Sequence, residues 1–275
     1  MTKASKAVWH RSLHDPSGYR DYGPASHKGK TMVIDKGIGL NGYTDLLQIA
    51  GPYIDVIKLG FGTAVLYEPE LLQRKIELAR KSGLIIMPGG TLLETAVQQK
   101  LTGSFLDTIC ELGFNGIEIS DGTIELSRGQ RTELIKEGKQ RGLLVMTEYG
   151  KKAAGSLIDP EQLAVTADYD LAAGAAWITV EARESGIDVG LFDEKGNCRE
   201  QTIKQILAEM TNQDCLMWEA PLKQQQAYLL QQFGPNVHLG NIQPSDILAL
   251  EAMRRGLRSD TFEFGIREEP AHYMI

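Results

Sequence analysis

Four glutamates lie at or near the ends of four successive apolar segments of this 275-residue chain: Glu118, Glu148, Glu181 and Glu219. If the fold brings the ends of these segments together, the four carboxylates repel one another and their pKa values rise. A hard divalent cation such as Mg²⁺ relieves that repulsion because it takes oxygen ligands. The pattern therefore predicts a Mg²⁺ site built from these glutamates.

Basic residues lie close to the same segment ends. They are Lys36, Lys58, Lys151, Lys152 and Arg183. Positive charge beside a metal suits a small polyanion that is bound partly through the metal. It also suits stabilisation of an enediolate, with a lysine moving the proton. A single charged residue at a strand end is usually a solvated loop residue and does not indicate a function. The glutamates and the basic residues taken together do indicate one.

Glycine-rich turns offer places for a phosphate group. Gly240 and Asn241 end the last apolar segment, where barrel enzymes often bind phosphate through backbone N–H groups. A helix predicted to follow Ser245 would add the positive end of its dipole. The turns at 60–63 and 89–91 are alternatives of the same kind.

Eight short apolar segments would position these groups. Their starts are separated by roughly 22 to 38 residues, the length of a strand, a helix and two loops. Strands that are apolar along their whole length belong to parallel sheets buried on both faces. Eight of them in a chain of this length predict an α/β fold, a single-domain (β/α)8 TIM barrel with its chemistry at the carboxyl ends of the strands. The segments are 31–35, 54–58, 84–87, 116–120, 143–148, 177–181, 215–219 and 237–241.

The intervening sequence predicts helices at 68–82, 127–141 and 245–255, the last with Ser245 as its N-cap. Residues 188–199 contain two glycines and show no helical period, so we expect a loop over the site there. Residues 1–30 are polar and predict an N-terminal arm that packs on a barrel end, packs on a neighbouring subunit or stays partly disordered, with the catalytic barrel at 31–275.

Composition excludes several classes of function. A net charge of −7 and a pI near 5.4 argue against a nucleic-acid or anionic-membrane partner. Three widely spaced cysteines argue against a disulfide framework or a zinc site. No apolar stretch reaches the roughly 18 residues that a membrane span needs, and the N-terminus shows no secretory signal. We therefore expect a cytoplasmic protein, and the arm allows a homo-oligomer.

The segment 37–42 satisfies the G-x-G-x-x-G pattern of dinucleotide-binding turns. Two features argue against that function. Asp35 and Lys36 separate the first glycine from the apolar segment. A ribose-binding acid would lie at the end of the next strand, about twenty residues on, whereas Asp55 lies near the start of the next apolar segment. A flexible βα-loop is the better interpretation, and no nucleotide cofactor is expected.

Nine short motifs follow one another between residues 30 and 262. They are IDKG at 34–37, IKLGFGT at 57–63, PGGTLLE at 88–94, GIEISDG at 116–122, EYGKK at 148–152, VEARESG at 180–186, EAPLKQQQ at 219–226, HLGNI at 238–242 and LEAMRRGLRSDTF at 250–262. In this order the motifs resemble the phosphosulfolactate synthase family. Any one of them is weak by itself, whereas their order makes the resemblance specific.

The resemblance implies a Mg²⁺-dependent enzyme of the carbon–sulfur lyase class that adds sulfite to C3 of phosphoenolpyruvate and forms (2R)-3-phosphosulfolactate. It implies that some of the four glutamates hold Mg²⁺, which stabilises an enediolate, and that Lys152 or Lys151 then protonates C2, with Lys152 favoured. The resemblance also gives Lys36, Lys58 and Arg183 the role of neutralising the phosphate and the sulfonate.

Two alternatives remain open at this point. Another barrel enzyme acting on a phosphorylated carbonyl compound, such as an aldolase, would use Lys58 or Lys152 to form a Schiff base. A non-catalytic, heat-stress-associated homologue would keep the barrel without turnover. The use of the product, toward coenzyme M or for release as sulfolactate, is not encoded in these motifs.

Overall fold

Eight parallel strands form the centre of the computed structural model, which describes residues 8–21 and 28–266. The strands are β1 (Thr31–Asp35), β2 (Val56–Leu59), β3 (Ile85–Pro88), β4 (Gly116–Ile119), β5 (Leu144–Tyr149), β6 (Trp177–Val180), β7 (Leu216–Glu219) and β8 (His238–Ile242).

The strands follow one another around a nearly closed barrel. Parallel ladders join them in the order β3-β2-β1-β8-β7-β6-β5-β4. At the remaining seam, the Ile86 N–H donates to the Asn115 side-chain oxygen at 2.7 Å, and the Asn115 N–H lies 3.4 Å from the Ile86 carbonyl oxygen. The predicted (β/α)8 barrel is confirmed.

Helices alternate with the strands along the chain. They are α1 (Arg11–His14), α2 (Leu40–Ala50), α3 (Pro69–Lys81), α4 (Gly90–Gln98), α5 (Thr102–Leu112), α6 (Arg128–Gln140), α7 (Pro160–Ala173), α8 (Glu200–Glu209), α9 (Lys223–Phe233) and α10 (Ile247–Arg254).

The helices predicted at 68–82 and 127–141 correspond to α3 and α6 and differ from them only at the end residues. The helix predicted at 245–255 corresponds to α10, and its predicted start was wrong. Ser245 lies in a 3₁₀ turn, Pro244–Asp246, and α10 begins at Ile247 without a side-chain cap. The Pro244 ring fixes its own φ, and the tighter turn takes the place of the first α-helical turn.

An apolar layer inside the barrel supports the polar groups above it. Met32, Val56, Met87, Met146 and Met217 form a separate buried cluster from five strands. Side chains two residues apart on a strand share a face. The next inward positions on β2, β5 and β7 therefore carry Lys58, Glu148 and Glu219, directly above this layer.

The described part of the predicted arm packs against the amino-terminal end of the barrel. Arg20, 7% exposed, pairs with Glu251 at 3.0 Å and donates to the Gly29 carbonyl oxygen just before β1. Arg255 pairs with Asp21 at 3.0 Å. These buried ion pairs tie the arm to α10, while residues 1–7 and 22–27 of the predicted arm lie outside the described residues.

Candidate active site

A cavity of about 560 Å³ opens at the carboxyl ends of the strands. All four predicted glutamates line it, as do Lys58, Lys152, Arg183 and Asn241. Further lining residues come from the N-cap and first turn of α4 and from the loop after β4: Gly89, Gly90, Thr91, Gly122 and Thr123. The ends of successive strands thus meet at one mouth, as the barrel predicts.

Lys58 is the buried cation at the centre of the carboxylates. Its Nζ lies 2.9 Å from Glu219 Oε1, 3.1 Å from Glu118 Oε1 and 3.8 Å from Glu148 Oε2. Burial alone would lower the pKa of Lys58, but the three carboxylates hold that pKa well above its usual value. Lys58 is therefore a fixed ammonium ion.

Lys152 is the second cation of the site and reaches it from the loop after β5. Its Nζ lies 2.9 Å from Glu148 Oε1 and 3.8 Å from Glu181 Oε2. The Ser120 hydroxyl lies 3.1 Å away. Burial would lower the pKa of Lys152, but the charges of Glu148, Glu181 and Glu94 raise it above its usual value. The side chain is 19% exposed, so this ammonium group faces the cavity.

Three of the glutamates could hold a cation together. Glu148, Glu181 and Glu219 each offer an oxygen, and these three atoms lie within 4.8 Å of one another. Within the described chain, Glu181 Oε2 is buried and accepts no hydrogen bond. An orphaned oxygen in a group of buried carboxylates fits a hard divalent ion.

The buried carboxylates of this group repel one another when no cation is bound between them. Burial, together with the charges of Glu148 and Glu219, raises the pKa of Glu181 well above its usual value. Burial would do the same to Glu148, but Lys152 and Lys58 hold the pKa of Glu148 below its usual value. A cation bound by the group would favour the charged form of Glu181.

Glu118 lies outside this three-oxygen group, although the sequence grouped it with the others. Its Oε1 contacts Lys58, and its Oε2 accepts the Gly90 N–H at 2.7 Å, at the start of α4. Burial raises the pKa of Glu118 to about 7, against the opposing charge of Lys58. Its two oxygens therefore serve to hold Lys58 and the start of α4.

Lys151 and Lys36 do not line the cavity. The Lys151 Nζ contacts the carbonyl oxygens of Asp121 and Ile124 at 2.8 and 3.0 Å, and its side chain is 44% exposed. Lys36 lies at the rim and pairs with Glu184 at 3.3 Å, where both side chains are well exposed. Of the two consecutive lysines, the structure brings only Lys152 to the carboxylates.

Arg183 and Asn241 line the cavity in an uncommon backbone conformation. Both are non-glycine residues with positive φ, 58° at Arg183 and 53° at Asn241. The Arg183 carbonyl accepts from the Asn241 side-chain amide at 3.4 Å, and Asn241 Oδ1 is buried without a partner in the described chain. Such strain persists where the surroundings fix it, and it collects at functional sites.

Gly240, predicted to bind a phosphate together with Asn241, packs against Met32 inside the barrel, and its role in phosphate binding stays a prediction. A Cβ there would lie 2.7 Å from the Met32 Cε, and its carbonyl oxygen accepts the Ala220 N–H at 3.0 Å. Gly240 does not line the cavity, and the 3₁₀ turn separates it from α10. The alternative turn at 89–91 does line the cavity, and it starts α4.

Two other sequence features also have structural roles. In the G-x-G-x-x-G segment, the Asp35 carboxylate accepts the N–H groups of Gly37 and Ile38 and pairs with the buried Lys75 at 2.5 Å. Residues 188–199 bury Val189, Leu191 and Phe192, and none of this loop lines the cavity, so the expected loop over the site was wrong.

Sequence reasoning missed Glu94, which lies on α4 and is 1% exposed. Its carboxylate accepts the Thr123 hydroxyl and the Gly122 N–H, contacts the Ser120 hydroxyl, which also lies 2.8 Å from Glu148 Oε1, and lies 3.3 Å from the Lys152 Nζ. The predicted ring of polar groups came from strand ends alone, whereas Glu94 approaches the site from the first turns of a helix. Its place at the end of the PGGTLLE motif was the available signal.

The fold resembles those of solved aldolase and synthase barrels. The YdjI aldolase from Escherichia coli K12 matches with a TM-score of 0.53 at 12% identity, over 92% of this chain and 93% of that chain. 3-Hexulose-6-phosphate synthase from Salmonella typhimurium matches with a TM-score of 0.53 at 10% identity, over 86% and 99%. At these identities the likeness establishes the barrel alone.

Sequence relatives are much more similar. The phosphosulfolactate synthase of Methanothermobacter thermautotrophicus is 39% identical over 241 residues, covering 87% of this chain and 93% of that protein. The phosphosulfolactate synthase of Bacillus subtilis is 36% identical over 236 residues, covering 85% and 92%. The Arabidopsis thaliana protein HEAT-STRESS-ASSOCIATED 32 is 22% identical over 262 residues, covering 87% and 88%.

The family model for (2R)-phospho-3-sulfolactate synthase (ComA) matches residues 23–260. This range contains every residue named above as lining the cavity, and the resemblance drawn from the nine motifs is confirmed. The chain belongs to the phosphosulfolactate synthase family.

Proposed function

We propose that this protein is a phosphosulfolactate synthase that adds sulfite to C3 of phosphoenolpyruvate in a Mg²⁺-dependent reaction and forms (2R)-3-phosphosulfolactate. The observation that carries the proposal is one cavity holding a three-carboxylate group and a lysine that touches two of its members, Glu148 and Glu181. Family membership supplies the identity of the reactants. No described helix is long and apolar enough to cross a bilayer.

Glu148, Glu181 and Glu219 would hold the Mg²⁺, because they bring three carboxylate oxygens together and Glu181 Oε2 accepts no hydrogen bond in the described chain. A magnesium ion there supplies Lewis-acid stabilisation of negative charge on the substrate carboxylate. Glu219 is held for this role by the Ala182 N–H, which donates to its Oε2 at 2.9 Å.

Binding of the anionic substrate falls to donors on the cavity wall. Arg183 contributes an exposed guanidinium, and Thr91 lies on the cavity wall in the first turn of α4, next to Gly90, whose own N–H is bound by Glu118. A helix N-terminus favours a phosphate because its N–H groups and its dipole point at the anion. These groups orient phosphoenolpyruvate with its carboxylate toward the three glutamates.

Proton delivery falls to Lys152. The sulfur lone pair of sulfite forms the bond to C3, the electron pair of the C2–C3 double bond moves toward the carboxylate, and a proton from the Lys152 Nζ then forms the C2–H bond. The phosphate ester stays intact. The carboxylates around Lys152 raise its pKa and so favour its protonated form before the proton is transferred to C2.

The Schiff-base alternative conflicts with the state of both lysines. A nucleophilic amine must be neutral, whereas the neighbouring carboxylates raise the pKa values of Lys58 and Lys152 and favour their ammonium forms. The aldolase-like solved structures share the barrel at 12% identity or less in the two cases above, so they supply no argument for that chemistry.

The experiment that tests the proposed proton donor compares two neighbouring substitutions. Lys152→Ala should lower turnover of phosphoenolpyruvate with sulfite by about 10²- to 10⁴-fold, as for loss of a positioned acid. Lys151→Ala removes the same charge one residue away and should leave turnover within about threefold, because Lys151 contacts only loop carbonyls and the exposed Glu125. Equal losses in the two variants would contradict the assignment.

A further inference from the structure

We propose that Glu94 is the positioning residue for Lys152, the carboxylate that fixes the Lys152 ammonium group while Glu148 and Glu181 are committed to the metal. The inference rests on the proposed function and adds a residue that touches neither metal nor substrate in that mechanism. Glu94 is a buried side chain of α4, and the proposed metal ligands all come from the ends of strands.

Glu94 is held rigidly in place. The Gly122 N–H donates to its Oε1 at 2.9 Å, and the Thr123 hydroxyl donates to its Oε2. The Ser120 hydroxyl lies between Glu94 Oε1 and Glu148 Oε1, the latter at 2.8 Å, and contacts both. Three residues of the segment after β4 thus fix a carboxylate that is 1% exposed. A side chain locked by several hydrogen bonds can orient a neighbour with little loss of entropy.

Lys152 contacts three carboxylates, and they are not equivalent. Glu148 and Glu181 belong to the three-oxygen group, whereas Glu94, at 3.3 Å, does not. A divalent ion among the three glutamates would take up the negative charge that attracts Lys152 and would itself repel the ammonium group. Glu94 is then the remaining full negative charge in contact with Lys152, and it pulls the Nζ toward β4 and α4.

Lys58 repeats this arrangement on the other side of the site. It contacts Glu148 and Glu219, which belong to the three-oxygen group, and Glu118, which does not. Each buried lysine therefore has one carboxylate partner of its own outside the group. The repetition indicates that Glu94 and Glu118 fix the two cations, while the remaining three glutamates are free to bind a metal.

The test compares Glu94→Gln with Glu251→Gln. Both substitutions remove the charge of a buried glutamate that pairs with a basic side chain, but Glu251 lies on α10 beside the arm and pairs with Arg20 and Arg255. Partners that orient a reacting or metal-binding group are typically worth about 10- to 100-fold. Glu94→Gln should lower kcat by that factor and leave the KM for phosphoenolpyruvate within about threefold.

The two variants should also separate activity from stability. Calorimetric titration should give Glu94→Gln a Mg²⁺ dissociation constant within about threefold of that of the unaltered protein, because Glu94 lies outside the three-oxygen group. Glu251→Gln should lower the melting temperature and keep kcat unchanged. A kcat within twofold of normal in Glu94→Gln, or a matching kcat loss in Glu251→Gln, would overturn the proposal.

A structural readout tests Glu94 independently of turnover. In crystals of the unaltered protein grown with Mg²⁺, the Lys152 Nζ should stay within about 3.5 Å of Glu94 Oε1. A Lys152 side chain that leaves Glu94 when Mg²⁺ binds would overturn the proposal even if Glu94→Gln does not fold. Absence of any sulfite-dependent turnover in the unaltered protein would instead refute the proposed function, and the crystal experiment would still decide the role of Glu94.

Discussion

Replacing Lys58 by methionine should destabilise the protein and at the same time increase its stabilisation by Mg²⁺. The substitution keeps an unbranched side chain that is one atom shorter and removes the charge that lies 2.9 and 3.1 Å from two buried carboxylates. At an effective dielectric of about 20, unit charges about 3 Å apart attract by about 5 kcal/mol. The desolvation cost of the pair offsets part of this, and breaking a buried pair typically costs about 3–5 kcal/mol.

The magnitude can be read from thermal unfolding in the presence of a chelator. For a chain of this size about 1 kcal/mol corresponds to a shift of roughly 2 °C, so Lys58→Met should lower the melting temperature by roughly 6–10 °C. Saturating Mg²⁺ stabilises any folded protein that binds it, by about 2.7 kcal/mol at a hundredfold excess over Kd. The increase in melting temperature on adding Mg²⁺ should be larger for Lys58→Met than for the unaltered protein, because the variant lacks the ammonium group that competes with Mg²⁺ for the carboxylates.

Lys75→Met is the matched control. Lys75 is as buried as Lys58, but it pairs with the single carboxylate of Asp35 and lies between the rings of Tyr43 and Tyr67. It should lose similar stability and show the normal response to Mg²⁺. A Lys58→Met variant as stable as the unaltered protein in chelator, or one with no extra response to Mg²⁺, would refute the reasoning.

Two further predictions concern backbone strain and pH. Arg183→Gly should be more stable than Arg183→Ala by about 1 kcal/mol in urea unfolding, because glycine adopts the φ of 58° without strain, while both weaken phosphoenolpyruvate binding alike. Equal stabilities would argue against strain at Arg183. Burial, with Arg254 and Lys30, lowers the pKa of His238 to about 4, so the unfolded chain binds a proton that the folded chain does not. The free energy of unfolding should therefore fall by up to about 3 kcal/mol from pH 6.5 to pH 4. His238→Asn should lose that part of the pH dependence. The same dependence of stability on pH in His238→Asn and in the unaltered protein would contradict this assignment.

The strands and the carboxylates among them were predictable because both follow local rules. A strand buried on both faces is apolar throughout, and the barrel puts its last polar residue at the mouth. These two rules are enough to place Glu118, Glu148, Glu181 and Glu219 in one cavity, where the folded chain has them. Glu118 differs from the other three glutamates because it accepts the Gly90 N–H, and this contact exists only in the folded chain.

Residues in turns and helices were harder to assign. Lys151 and Lys152 are consecutive, and the turn after β5 alone decides which side chain enters the cavity. Gly240 follows the pattern of a phosphate-binding turn, yet in the folded chain it packs against Met32 and does not line the cavity. Glu94 comes from a helix and becomes a site residue only through its contacts with the loop after β4. Each of these depends on contacts between segments far apart in sequence.

Phosphorus NMR of the purified protein with phosphoenolpyruvate and sulfite tests the central claim most directly. With Mg²⁺ present, the phosphoenolpyruvate resonance should decline as a new phosphate-ester resonance grows, and omission of sulfite or addition of a chelator should abolish the change. An unchanged spectrum from folded protein supplied with both reactants and Mg²⁺ would contradict the proposed function.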